Sequence, residues 1–127
     1  MATSPSFAVT PRIGSVSIST QDTSLTAPTN FGTVITGVAA GTRVAELVVK
    51  CAATSVAAIV RVFLHDGTST FLFDEVTISA ATSSNTVATT RVTRTYDNLI
   101  LPSSSWSVRV TTSIAQATHV TALAADL

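Results

Sequence analysis

The chain has 127 residues, enough for one domain with an adequate core and too few for two. Its seven basic residues balance seven acidic ones, which argues against partners recognised by bulk charge, nucleic acid and anionic membrane surfaces alike. Charged residues make up only 11 % of the chain, against roughly 25 % for an ordinary soluble domain, and Lys50 is the sole lysine.

Pro5, Pro11 and Pro28 fall early in the chain among Ser and Thr. Proline has no N–H to give a sheet, so residues 1–12 are predicted as an extended N-terminal arm and residues 13–127 as a single domain. At roughly 3.3 Å per residue such an arm reaches about 40 Å, far enough to touch a neighbouring subunit; a frayed terminus is the plainer alternative. The segment lacks the basic start and continuous apolar run of a signal peptide, so export by that route is not expected. The longest apolar-leaning stretch, residues 51–60, is broken by Thr54 and Ser55 and is too short to cross a bilayer.

From residue 13 onward, short runs alternate with period two, the pattern of strands with one buried face. Val16 and Ile18 alternate with serines, as on an edge strand. Residues 32–39 form a second run with Val34, Thr36 and Val38 on one side. Residues 43–52 set Ala45, Leu47, Val49 and Cys51 against Glu46 and Lys50. In residues 57–65 the face of Ala58, Val60, Val62 and Leu64 is wholly aliphatic, which marks a central strand. Asp66-Gly67 supplies a tight turn, because glycine accepts positive φ and Asp tolerates it. Residues 70–80 return as the hairpin partner, with Phe71 and Phe73 on one parity and Val76 and Ile78 on the other; a β-bulge near Asp74 and Glu75 reconciles them. Ser83-Ser84-Asn85 reads as a loop, residues 86–96 as a weaker strand, and residues 98–101 as a short one stopped by Pro102. Trp106, Val108 and Val110 point inward and Ser107, Arg109 and Thr111 outward, and residues 118–125 close the sheet. Helical periodicity is nowhere sustained, and β-branched residues dominate. The expected fold is all-β, an antiparallel β-sandwich of about eight strands, jelly-roll-like.

Outward positions that would ordinarily carry Lys or Glu carry Ser or Thr instead, as at Ser15, Ser17 and Ser19, or Thr89, Thr93 and Thr95. Covering such a surface costs little side-chain entropy and buries few charges, so it suits contact with other protein subunits. A secreted, glycan-covered or simply Thr-rich domain would share this composition.

Little in the sequence points to chemistry. His65, Asp66, Asp74 and Glu75 form the densest polar group, at the two ends of one hairpin, and suit a divalent cation by ligand type. Their spacing matches no recognised metal motif, and adjacent Asp74 and Glu75 should face opposite ways; turn capping and an ion pair to Arg61 or Arg91 is the alternative. Asp22 and Asp126 fall in expected loops or ends, which leaves no evident carboxylate pair for acid/base work. His65 and His119 lack a serine in a glycine-flanked elbow, and Cys51, the lone cysteine, lies on an apolar strand as a small buried hydrophobe. Trp106 alternates in phase with Val108 and Val110, which favours the core over a sugar-stacking platform. No catalytic, cofactor-binding or metal residue is assigned, and no enzyme is expected.

Two stretches resemble a family of small tailed-bacteriophage virion structural proteins. Residues 60–80, VRVFLHDGTSTFLFDEVTISA, resemble the family's aliphatic strand with an embedded Arg, its Asp-Gly turn, and a return strand ending in an acidic pair. Residues 99–113, with a Leu-Pro step, and the closing THVTALAADL resemble its C-terminal part. Ser103 to Ser105 and Ala124-Ala125 stand where members commonly have glycine. The resemblance implies a non-enzymatic capsid decoration (cement) protein that binds and stabilises the major capsid shell. Its partners would be the major capsid protein or other virion proteins, and it would self-associate, a homotrimer being one form. The expected location is the virion, assembled in the host cytoplasm. A receptor- or glycan-binding module of a tail or head fibre is the alternative.

Overall fold

The computed structural model describes residues 10–127, which form nine strands and no helix. In chain order these are β1 (Thr10–Ile18), β2 (Gly32–Thr36), β3 (Thr42–Cys51), β4 (Ala58–His65), β5 (Thr70–Ile78), β6 (Arg91–Thr95), β7 (Ile100–Leu101), β8 (Ser107–Thr112) and β9 (Thr118–Asp126). Sheet A runs β1-β9-β3-β6, with the two-residue β7 also on β3; sheet B runs β2-β8-β4-β5. All pairings between these strands are antiparallel. With β7 set aside, β1 pairs with β9, β2 with β8, β3 with β6, and β4 with β5. That is one long hairpin rolled up so that successive pairs alternate between sheets, the jelly-roll arrangement.

The core lies between the sheets and is built chiefly from valine. Val44, Val49, Val60, Val62, Val76, Val108, Val110 and Val120 are fully buried, with Leu47, Ile78 and Leu101. β-branched side chains have one stiff torsion that suits a pleated surface, and each buried aliphatic group contributes about 1.5–3 kcal/mol. Buried Cys51 belongs to this layer as one more small apolar group. Trp106 is half-buried and packs against the same cluster.

The two sheets approach closely along the β1·β2 side. A Cβ on Gly14 would collide with the backbone carbonyl of Val34, so this crossing requires glycine. At the β4–β5 turn, Gly67 has φ of +101°, the conformation expected of the Asp-Gly pair, while Asp66 N–H donates to Ser69 O at 3.1 Å.

Several expectations are corrected. β1 begins at Thr10, so Thr10, Pro11 and Arg12 are sheet residues paired with Asp126, Ala125 and Ala124 rather than part of an arm. Proline is accommodated there because β1 is an edge strand. Residues 1–9 of the expected arm lie outside the described residues. In β3 the register shifts between Val44 and Glu46, which turns Ala45 out to solvent and gives its core position to Val44. In β2 a shift between Thr33 and Ile35 buries both Val34 and Ile35, exposes Thr36, and the strand ends before Val38. The bulge expected near Asp74 and Glu75 is present, at the adjacent Phe73, since Leu72 opposes Phe63 and Asp74 opposes Val62. Residues 86–96 supply only the five-residue β6.

Candidate functional site

The hairpin acids separate into unrelated structural tasks. Asp66 caps its own turn, accepting from Thr68 N at 2.8 Å and Ser69 N at 2.7 Å, and the Ser69 and Thr68 bonds hold its carboxyl below the usual value. His65 Nδ1 lies 2.9 Å from Thr70 Oγ1 across the strand pair. Asp74 faces the interior side of sheet B, opposite Val62, where Tyr96 donates its hydroxyl at 2.9 Å and Arg94 Nε approaches to 3.4 Å. Glu75 is on the outer side opposite Arg61, with Nε and Oε1 3.6 Å apart, an ion-pair distance rather than a hydrogen bond. Asp74 and Glu75 therefore point to opposite faces as expected, but Asp74 takes Arg94 and not Arg91. Among the described residues, no three of His, Cys, Asp and Glu converge as a metal-holding group.

Asp74, Arg94 and Tyr96 act as a clasp. They bridge β5 and β6, the edge strands that face each other on the side of the sandwich away from β1 and β2. The Phe73 ring packs beside Tyr96, with centroids 5.2 Å apart. Burial, reinforced by the bond to Asp74, pushes the Tyr96 phenol well above its ordinary pKa.

Two further polar clusters went unread in the sequence, one inside an irregular loop where no periodicity places the donors, the other joining residues 12, 42 and 126 across the chain. Asp22, 8 % exposed, accepts three backbone N–H groups: Ser24 at 2.9 Å, Thr29 at 2.8 Å and Asn30 at 2.9 Å. These bonds, Asn30 first, hold its carboxyl below the usual range and shape the β1–β2 loop. At the other end, Arg12 Nε meets Asp126 Oδ1 at 3.1 Å, and the buried Thr42 hydroxyl donates to the same oxygen at 2.8 Å. First, third and last strands are tied there.

The outer face of sheet B carries its own small buried layer. Phe63 is fully buried although it points away from the core, in register with Arg109 and Leu72. The Arg109 guanidinium lies 4.0 Å over the Phe31 ring, and burial lowers its pKa. Arg61 Nε and Nη1, Arg109 Nε and Thr111 Oγ1 are buried there without a hydrogen-bond partner among the described residues.

Sheet A presents the uncharged surface anticipated from composition. Register places Ser15, Thr121, Val48 and Thr93 side by side across all four long strands, and beside them Ile13, Leu123, Glu46 and Thr95. Only Glu46 is charged among these eight. The flanking row of Ser17, His119, Lys50 and Arg91 brings basic groups to one end, where Lys50 Nζ is turned onto Thr89 O at 2.9 Å. Two grooves open along β1 and β9, of about 430 Å³ by Pro11, Arg12, Ile13, Leu123 and Ala124, and about 300 Å³ by Ser15, Val16, Ser17, His119 and Thr121. A third, of about 280 Å³, lies between Ser17–Thr20 and Thr29–Phe31. Each is lined by at most one ionisable side chain, so none gathers the convergent polar groups of a small-molecule site.

The geometry therefore defines a jelly-roll sandwich in which the middle of sheet A's outer face is weakly charged. In comparisons with known proteins, no family model and no curated protein matches the chain.

Proposed function

We propose that this chain is a non-enzymatic structural protein of a bacteriophage particle, binding major capsid subunits and other copies of itself as a decoration or cement protein on the head. The observation that carries the assembly part is the outer face of sheet A, where Ser15, Thr121, Val48 and Thr93 run uncharged across four strands. Short neutral side chains are cheap to desolvate, so a flat face of this kind gains from being covered by protein. The phage context rests on the resemblance of residues 60–80 and 99–113 to virion proteins. Its mechanism is additive: each copy that buries on the order of 1,000 Å² or more against its neighbours raises the work needed to open the shell.

The test is the copy number and position of the protein in purified particles, together with Thr121→Lys and Thr93→Lys variants. Many copies over the head, lost when either lysine is introduced into a chain that still melts normally, support the reading. A few copies at one vertex or along the tail, or a sheet A face left open to solvent on the particle, would refute head decoration. A receptor- or glycan-binding role is the second reading, favoured by the exposed rings of Phe71 and Phe73. Binding to glycans or host envelopes that is abolished by Phe71→Ser would move the assignment there.

A further inference from the structure

The exposed apolar residues of sheet B gather on one stretch of its edge. Phe71, Leu72 and Phe73 are consecutive in β5 and are 51 %, 40 % and 41 % exposed. Among the described residues β5 is the outermost strand of its sheet and pairs only with β4. Farther along, the chain itself meets this edge at Glu75 O, which accepts from Arg94 at 2.9 Å, and just past the strand at Ser79 O, which accepts from the Thr90 hydroxyl at 2.8 Å. Among the described residues no such bond reaches Phe71, Leu72 or Phe73 from that side.

Register sets the direction of each side chain. Leu72 opposes Phe63 on the outer face, Phe71 opposes Leu64 on the inner side, and Phe73 is the bulged residue beside Tyr96 at the seam between sheets. A flat ligand covers one face of a strand. Apolar groups on both sides of an edge, with unpaired backbone between them, are covered together by an added strand.

We propose that β5 is a homodimerisation edge, at which two copies pair residues 71–73 antiparallel about a two-fold axis through Leu72 and join their B sheets into one. That register sets Phe71 opposite the partner's Phe73 on the inner side and Leu72 against its own copy on the outer side, so apolar groups meet on both faces. Asp74 falls opposite the partner's Thr70, and its charge is already held by Arg94 and Tyr96. Centring the axis on Phe73 instead would press Asp74 onto an apolar Leu72, which costs desolvation without a partner. The edge is thus its own complement, and zero net charge leaves no general repulsion between copies. The bulge at Phe73 ends the template and keeps the contact from extending along the strand.

This inference gives an interface to the self-association proposed above and does not depend on the phage context or on capsid binding. Sedimentation of the full chain over about 10 µM to about 1 mM should show a dimer forming with concentration. Leu72→Lys and Leu72→Glu each place two like charges on the axis and should weaken that dimer by at least about tenfold. An equimolar mixture of the two variants should restore it, because Lys then meets Glu; restoration also separates a lost contact from a lost fold. A wild-type chain that stays monomeric at about 1 mM overturns the proposal, as does association indifferent to both charges or a mixture that stays monomeric. Copy number on a particle has no bearing on these readouts, so the two proposals fail separately.

Discussion

Replacing Asp22 by Asn keeps the side chain's shape and removes its charge, which isolates what the carboxylate does for the β1–β2 loop. In the wild type, Oδ2 accepts from Thr29 and Asn30 and Oδ1 from Ser24. An amide has one acceptor oxygen, so its NH₂ group must face either the Ser24 N–H or the other two. With the oxygen kept on Thr29 and Asn30, the Ser24 donor loses its partner and the two remaining bonds become neutral ones of about half the strength. The loop lies at the protein surface, where solvent screens part of the charge; allowing for that, Asp22→Asn should cost about 2 kcal/mol at pH 7. In a domain of this size the melting temperature should fall by roughly 6–10 °C.

The effect also has a pH signature. The folded-state pKa of Asp22 is depressed below the ordinary 3.8, so the unfolded chain takes up its proton first as pH falls. Stability from this group is fully present above the unfolded pKa and is lost as pH falls through the folded one. Urea unfolding followed by fluorescence of Trp106, the sole tryptophan, should show the wild type and Asp22→Asn separated at neutral pH and converging in acid. Equal stability at pH 7, or a gap that persists unchanged into strong acid, would refute the assignment of these three bonds as the loop's anchor.

Gly14→Ala should push β1 away from the Val34 carbonyl and destabilise the sandwich by about 2 kcal/mol, read as a lower thermal midpoint; an unchanged melt would mean the sheets separate there without cost. Tyr96, the only tyrosine, should show no phenolate absorbance in the native state well past the ordinary pKa of 10.0. Because its folded pKa is raised, its contribution is complete below about pH 10 and disappears as pH rises toward the folded value, so wild-type stability should fall in strong alkali more than that of Tyr96→Phe. Phenolate appearing at the ordinary pKa without unfolding would contradict the Asp74 clasp.

Where neighbouring residues alone set the outcome, sequence pattern carried far. The aliphatic face of β4, the positive-φ glycine after Asp66, and the need for a bulge before Val76 all follow from side-chain alternation and local backbone preference. The displaced faces of β2 and β3 did not follow, because Ala45 and Val34 look no different from their neighbours and only the facing strand determines which one bulges. Phe63 alternates out of phase with the aliphatic face of β4, and nothing local shows that Arg109 and Leu72 from the strands on either side cover it.

By itself, then, the sequence determined the class of fold, the central strand and the Ser/Thr character of the middle of sheet A's outer face, since period-two hydrophobicity and side-chain chemistry belong to each strand alone. Tertiary structure decided the pairing order, the bulge positions and the partner of each charge. Arg12 finds Asp126 across 114 positions, and Asp74 takes Arg94 rather than Arg91. Adjacent strand residues face opposite sides, and a shift of one residue in register exchanges those sides, so contacts of this kind are set only when the strands have docked.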